Sequence, residues 1–421
     1  MNQIRNIKGT RDILPTEIQK WQELEKIVHE VCNQFGYHEI RTPVFEETGL
    51  FSRTVGENTD IVSKEMYSWS DNDGKSLTLR PELTAPVARS YIQNNLGSQS
   101  NIQRLYYMGP LFRRERPQKG RQRQFHQFGI EAFGSKNPEQ DAEIIAAAWQ
   151  ILSRCDLTNS TTLNLNSIGS KKCREKYRMA LTEYMSPFSD KLSDTSKQRL
   201  KTNPLRILDT KSEKEIELLK NAPNISEYYT TPDKDHFELL KDFLKAMAIP
   251  YTINKKLVRG LDYYSNTVFE FVSDKVGAQD ALLGGGRYDN LVESIGGKPT
   301  PGIGFAAGME RFIMAMDNVG RKYKKLTPDV YFICLDKIGI KKTLEISMKL
   351  RDNGIKVICD PLRRSMKSQL REANKVQASF VLILGENEIN NDTLRLKDLK
   401  KGSQKDILQS EIIKYFDNLT I

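Results

Sequence analysis

The sequence predicts an α+β body interrupted by a helical insertion and followed by a separate small α/β domain. Three observations carry this. Gln103 to Gly134 reads QRLYYMGPLFRRERPQKGRQRQFHQFGIEAFG, two aromatic-rich runs joined by a basic Pro/Gly connector, which is the pattern of a long hairpin. Residues 170–249 are charged and helical, with breaks at Pro187, Pro204, Pro223 and Pro232. From Lys325 onward strands and helices alternate, the signature of a small domain with a largely parallel sheet.

Each element has a local reason. Pro15 precedes a helix over about 16–35, where Trp21, Leu24, Ile27, Val28 and Val31 recur at helical spacing and Gly36 ends the run. YHEIRTPVFEE reads as a strand, and its Pro43 belongs at a sheet edge or a subunit contact because it cannot donate to a ladder. DNDG turns the chain into a short strand, Ser76 to Leu79, and a helix begins near Ala85. In that entry Glu82 and Thr84 suit helix-start chemistry, and equally a carboxylate and hydroxyl able to hold an ammonium group. A helix over 141–153 and a strand ending at Gly169 follow the hairpin.

In the second hairpin strand the period of two sets Phe125, Gln127, Gly129, Glu131 and Phe133 on one face and His126, Phe128, Ile130 and Ala132 on the other. The even face is a core face. The odd face, with Arg113 and Glu115 on the first strand, offers either a solvated salt-bridged surface or a floor for a planar anionic ligand. Downstream, an aromatic strand from about Asp262 to Val272 carries Arg259, Asp262, Tyr263 and Tyr264 in close order. Three consecutive glycines, Gly284 to Gly286, permit close approach of another group to the backbone. Gly302 to Ala307 reads as a strand entering a helix at about Gly308. Arg311 in its first turn opposes the helix dipole, an arrangement that makes sense when a phosphate meets both. Gly302, Gly304 and Gly308 mimic a dinucleotide fingerprint, but the spacing is off and no βαβ unit with a downstream acidic residue follows, which leaves a nicotinamide oxidoreductase as a distant third reading. In the tail, Arg363, Arg364, Lys367, Arg371 and Lys375 form a basic strip that suits either single-stranded RNA or solvent.

Composition narrows the class. A hydrophobic fraction of 38% with 28% charged residues supports ordinary cores, and the net charge of +10 favours a polyanionic partner. No apolar run approaches the ~20 residues of a membrane span, and the N-terminus has no apolar signal core, so a cytoplasmic protein with no membrane partner is expected. Five cysteines without a CxxC pair or neighbouring His group suggest neither a disulfide framework nor a protein-held metal.

Together these stretches resemble the histidyl-tRNA synthetases, class II aminoacyl-tRNA ligases. YHEIRTPVFEETGLFSRTVGE, YYMGPLFRRERPQKGRQRQFHQFGIEAFG and PGIGFAAGMERF are similar to the three class-defining motifs. LVRGLDYYSNTVFEF and GGGRYDNLVES resemble the two stretches peculiar to the histidine enzyme. One departure is Leu83 in PELTAP, where the family pattern has glycine. The resemblance implies a catalytic domain over 1–324 built on an antiparallel sheet flanked by helices, with its insertion at about 170–249, an anticodon-binding domain over 325–421, and a homodimer formed around the first motif. It implies that histidine attacks the α-phosphate of ATP, brought as its Mg²⁺ complex, and that the histidyl group passes from the adenylate to tRNA(His). By position, Arg113 and Arg259 would meet the α-phosphate, Arg311 the γ-phosphate, and Glu115 and Phe125 the adenine. Glu82, Thr84 and Gln127 would bind the ammonium and carboxylate of histidine. Glu131 and Tyr264 would read the imidazole nitrogens, with Tyr263 beside them, and Arg116 and Gln118 would contact the tRNA acceptor end. The rivals are a histidine-binding regulatory paralogue, which would be expected to lack the tail and to erode these arginines, and a ligase for another amino acid, against which Glu131 and the Leu261 to Tyr264 block stand.

Overall fold

The computed structural model describes residues 3–56, 59–118, 120–277, 281–335 and 337–419. The chain forms two compact units, Met1–Tyr323 and Lys324–Ile421.

Among the described residues the first unit is organised on an eight-stranded sheet in the order His38–Glu39, Gln103–Phe112, Gln124–Phe133, Gly302–Gly308, Ala281–Arg287, Ser265–Ser273, Thr161–Ser167, Thr252–Ile253. The six inner strands are antiparallel. The two-residue strands at the edges run parallel to their neighbours. One face is covered by the helices Ile18–Gln34, Pro138–Arg154, Thr231–Ala246 and Met309–Asn318, whose apolar stripes bury Trp21, Leu24, Ile144 and Phe312 against Phe128, Ile130, Phe269 and Phe305 of the sheet. The even residues of the second hairpin strand therefore point into this core, as alternation requires. The opposite face carries a second cluster, in which Leu83, Tyr107, Tyr264, Val268 and Tyr288 meet Cys173, Tyr177 and Leu181 of the insertion.

Three local expectations are revised. The run from Tyr37 to Glu47 is not one strand: pairing holds at His38–Glu39 and Phe45–Glu47 and fails between them, where Pro43 has no N–H to give. Phe45–Glu47 instead joins Ser76–Leu79 and Tyr67–Ser70 in a small three-stranded sheet. The first hairpin strand stops at Phe112: the Arg113 N–H still meets the Arg123 carbonyl across the hairpin, but the Arg114 N–H turns away to the Glu65 carbonyl and Pro117 cannot donate, so Glu115 lies beyond the ladder rather than on a strand face. The aromatic strand begins at Ser265, not Asp262. The Asp262 N–H bonds to the Val55 carbonyl, which draws the segment carrying Arg259 to Tyr264 off the sheet.

In the insertion the prolines mark starts as much as breaks. Pro187, Pro204 and Pro232 each sit in the first two positions of a helical turn, where their missing N–H costs nothing. Thr230 and Asp233 close a capping box on the Thr231–Ala246 helix.

The second unit is a five-stranded sheet in the order Val357–Cys359, Val330–Cys334, Phe380–Leu384, Thr393–Asp398, Gln404–Leu408. The first three strands are parallel and the last two antiparallel, so the sheet is mixed rather than largely parallel. The cause lies at Gly385, where a short helix, Glu386–Asn390, capped by Glu388 on the Gly385 N–H, takes up residues expected to extend a strand and returns the chain as a hairpin. Lys367, Arg371 and Lys375 lie on the helix Met366–Lys375. Arg364 precedes it, tied to Asp360 at 2.8 Å.

Candidate active site

A cavity of about 590 Å³ opens on the sheet face opposite the helices, lined by residues from stretches far apart in the chain. The hairpin and its loop supply Arg113, Glu115, Arg121, Phe125 and Gln127; the turn into the Thr84–Gln93 helix supplies Glu82 and Thr84; the segment before Ser265 supplies Arg259, Tyr263 and Tyr264; the last strand and helix supply Gly304 and Arg311.

The glycines of Ala281–Arg287 explain how this cavity exists. Gly284 and Gly286 face it, and a Cβ at Gly284 would collide with the Arg259 guanidinium, one at Gly286 with the Thr267 carbonyl and the Tyr264 ring. Gly285 faces the other way, against Phe305 and Phe269. The expected close approach is thus made by side chains lying flat on bare backbone.

Three arginines set the electrostatics. The Arg113 Nε donates to the Pro81 carbonyl at 2.9 Å, and its guanidinium carbon lies 5.2 Å from the centre of the Phe125 ring. Arg311 donates from Nη1 to the Ala281 carbonyl at 2.9 Å and from Nε to the Gly120 carbonyl at 3.3 Å. Burial lowers the pKa of both, the cost of charge held away from water; among the described residues neither guanidinium has a carboxylate bonded to it. Arg259 differs: burial acts on it too but is outweighed by Glu270, whose carboxylate lies 2.5 Å from Nη1, so its pKa is raised. Glu115 pairs with Arg121 at 3.0 Å.

Beside these arginines lies a nest of hydroxyls around one carboxylate. Glu82 is buried and accepts from the Thr84 and Ala85 N–H groups at 2.7 and 2.9 Å, so it caps the helix while its edge lines the cavity. Helix entry and ligand site are here the same residue. Leu83 is buried against Tyr107 and Val87 in the second cluster. Glu131, expected on the exposed floor, lies just beneath it, fully buried and absent from the lining. Its Oε1 accepts from Thr84 Oγ1 at 2.7 Å and Tyr107 OH at 3.1 Å, and its Oε2 from Tyr288 OH. Desolvation pushes its pKa up to about 8, against the opposing pull of these hydroxyls. Gly304 leaves room for this carboxylate, which a Cβ there would strike. Tyr263 and Tyr264 both line the cavity with ring centres 4.7 Å apart; strand alternation does not separate them because they precede the strand. Arg116 and Gln118 are exposed in the hairpin loop and outside the lining, with the Gln118 backbone paired to Arg121.

Two residues of the site escaped the sequence reading. Tyr107 stands opposite Gly129 in the hairpin register, and Tyr288 continues the alternation 284, 286, 288 that sets it on the glycine face. A tyrosine registered against a glycine was the available signal.

Arginines beside a carboxylate-hydroxyl pocket in one cavity can accept a polyanionic ligand and a small polar one next to each other. A family model described as histidyl-tRNA synthetase matches residues 9–312. The chain belongs to the histidyl-tRNA synthetase family. A second model, described as anticodon binding domain, matches residues 329–419. Similarity to family members extends over nearly the whole chain: histidine–tRNA ligase from Acetivibrio thermocellus is 46% identical over 407 residues, 96% of this chain and 97% of that one. The same-named protein of Crocosphaera subtropica is 45% identical over 413 residues, 98% and 95% of the two chains. Apo S. aureus histidyl-tRNA synthetase superposes with a TM-score of 0.84 at 34% identity, covering 98% of this chain and 100% of that one. The class II synthetase fold expected from the motifs, a large sheet flanked by helices with a separate C-terminal anticodon-binding module, is the fold of the family and of this chain.

Proposed function

We propose that the chain ligates L-histidine to tRNA(His) in two steps at this cavity, consuming ATP as its Mg²⁺ complex and releasing AMP and pyrophosphate. The observation that carries the reading is that one cavity is lined by Arg113, Arg259 and Arg311 together with Glu82, Thr84 and Tyr264, with Glu131 held behind Thr84. In-line displacement at phosphorus needs positioning and charge neutralisation more than covalent help. Arg113 and Arg259 meet the α-phosphate, Arg311 the γ-phosphate, and Phe125 with Glu115 takes the adenine. Glu82, Thr84 and Gln127 hold the ammonium and carboxylate of histidine. Tyr264 reads one imidazole nitrogen and Glu131, from behind Thr84 and Tyr288, the other, with Tyr263 packed beside them. A ligand that leaves such buried groups unpaired is rejected by roughly 10⁴-fold.

The exposed Arg116 and Gln118 are free to meet the tRNA acceptor end from the hairpin loop, and the basic strip of the second unit is a surface for the anticodon. A homodimer around the first motif is supported by an apolar edge beside Pro43, where Phe45 and Trp69 are 51% and 41% exposed with ring centres 6.0 Å apart. Cys32, Cys155 and Cys173 are buried thiols, which fits a reducing compartment, and we assign the chain to the cytoplasm. Among the described residues no helix is long and apolar enough to cross a membrane.

The test is ATP/pyrophosphate exchange with each of the twenty amino acids, wild type beside Arg259→Ala. Exchange with histidine alone, lost by about 10²-fold or more in the variant, is expected. Histidine binding without exchange in the wild type would replace the ligase reading with that of a histidine sensor.

A further inference from the structure

The reading above uses Arg113, Arg259 and Arg311 but leaves a partly buried acidic group behind one of them unexplained. Glu270 lies in Ser265–Ser273 directly across the ladder from Gly284, with the same sidedness as Val268 of the cavity-side cluster. Its carboxylate sits 2.5 Å from Arg259 Nη1, and the two side chains are only 21% and 22% exposed. Arg259 lines the cavity while Glu270 does not, so the carboxylate stands behind the guanidinium as seen from the ligand space. Beneath both, Gly284 supplies the clearance: a Cβ there would occupy the guanidinium's place.

This arrangement is a poor way to supply charge and a good way to supply geometry. A carboxylate in contact with Arg259 offsets part of the attraction the guanidinium would exert on a phosphate. It also fixes the end of a long side chain whose root, in the irregular segment before Ser265, lies outside the ladder. A guanidinium carries five N–H donors, and Glu270 engages it through one nitrogen. Among the described residues the buried Arg259 Nε has no hydrogen-bond partner. We propose that Glu270 is a positioning residue for amino-acid activation, holding Arg259 flat over Gly284 so that its unengaged donors meet the α-phosphate. The inference rests on Arg259 serving that phosphate, and its effect is on the rate of the chemical step rather than on histidine capture.

The experiment is a double-mutant cycle in histidine-dependent ATP/pyrophosphate exchange, using wild type, Glu270→Ala, Arg259→Ala and the double variant. Misplacing a reacting contact by about 1 Å costs on the order of 10²-fold. Glu270→Ala is accordingly expected to lower kcat by about 10- to 100-fold with KM for histidine within about twofold of wild type, and the double variant to be no slower than Arg259→Ala alone. Glu270→Asp, which keeps the charge but withdraws the carboxylate by one methylene, is expected to lower kcat in the same direction. It keeps the test available if the alanine variant does not fold, as judged by thermal melting and by histidine binding in calorimetry. An unchanged kcat in both folded variants overturns the proposal. So do losses that multiply in the double variant, which would make Glu270 act independently of Arg259, for example on a divalent cation. Wild-type exchange in Arg259→Ala would instead overturn the reading on which the proposal rests.

Discussion

Replacing Glu131 by glutamine separates the cost of this buried carboxylate from its use. The group is fully buried and accepts from Thr84, Tyr107 and Tyr288, yet its pKa rises from 4.5 to about 8, because burial outweighs the three hydroxyls. Between those two pH values the folded protein holds a proton that the unfolded chain has released. Stability associated with Glu131 is therefore fully present below about pH 4.5 and declines as pH rises, until the folded group ionises near pH 8. One pKa unit corresponds to about 1.36 kcal/mol, so the whole span amounts to roughly 5 kcal/mol as an upper figure. The neutral amide keeps an oxygen for two of the hydroxyls and has no proton to lose. Urea unfolding of the wild type and Glu131→Gln at about pH 5.5, 7 and 8.5 should give a stability difference that moves in favour of the variant with rising pH, by on the order of 1 kcal/mol per unit. Histidine-dependent exchange should fall at the same time, with KM for histidine raised by about 10²-fold or more. Stability curves that stay parallel across this range would refute the assignment of an elevated pKa to Glu131, and an unchanged KM would refute its part in reading the imidazole.

Two further outcomes follow from other parts of the structure. The buried Arg287 guanidinium lies 2.6 Å from Asp141, whose other oxygen meets His236 at 2.8 Å and Thr267 at 2.6 Å; burial raises the Asp141 pKa but Arg287 and His236 outweigh it, leaving it lowered. Asp141→Asn leaves Arg287 with the partly exposed Asp289, 3.1 Å away, in place of a fully buried counter-charge, and should cost on the order of 3 kcal/mol in denaturant unfolding. Trp69→Ser combined with Phe45→Ser should weaken self-association by roughly tenfold or more, read by light scattering as a shift from twice the 48.3 kDa chain mass towards one chain.

The pieces legible in the sequence are those set by near neighbours. The even residues of Gln124–Phe133, the helix starting at Thr84 and the strand at Ser76–Leu79 follow from period and capping chemistry alone, and the structure has each of them. The irregular segments were not legible, because distant partners decide them: the Arg114 N–H leaves the hairpin for Glu65, and the Asp262 N–H leaves the sheet for Val55. Neither carbonyl is identifiable from the local run. For the same reason Glu131 was assigned to the right face at the wrong depth. Alternation gives sidedness, whereas depth depends on Tyr288, 157 residues away, closing over it. The short helix after Gly385 was missed because a five-residue turn of helix carries too few periods to separate from strand.

The bare stretch Gly284 to Gly286 also bears on how the site behaves when warmed. A surface made of side chains loosens rotamer by rotamer, so its contour blurs well before the protein melts. Here the plate on which Arg259 and Tyr264 rest has no rotamers, and both its neighbours in the sheet are bonded to it. Its contour can change only if the ladder itself parts. The tolerances of the cleft floor are therefore those of the sheet, and the activation site should hold its shape up to the temperature at which the first unit unfolds.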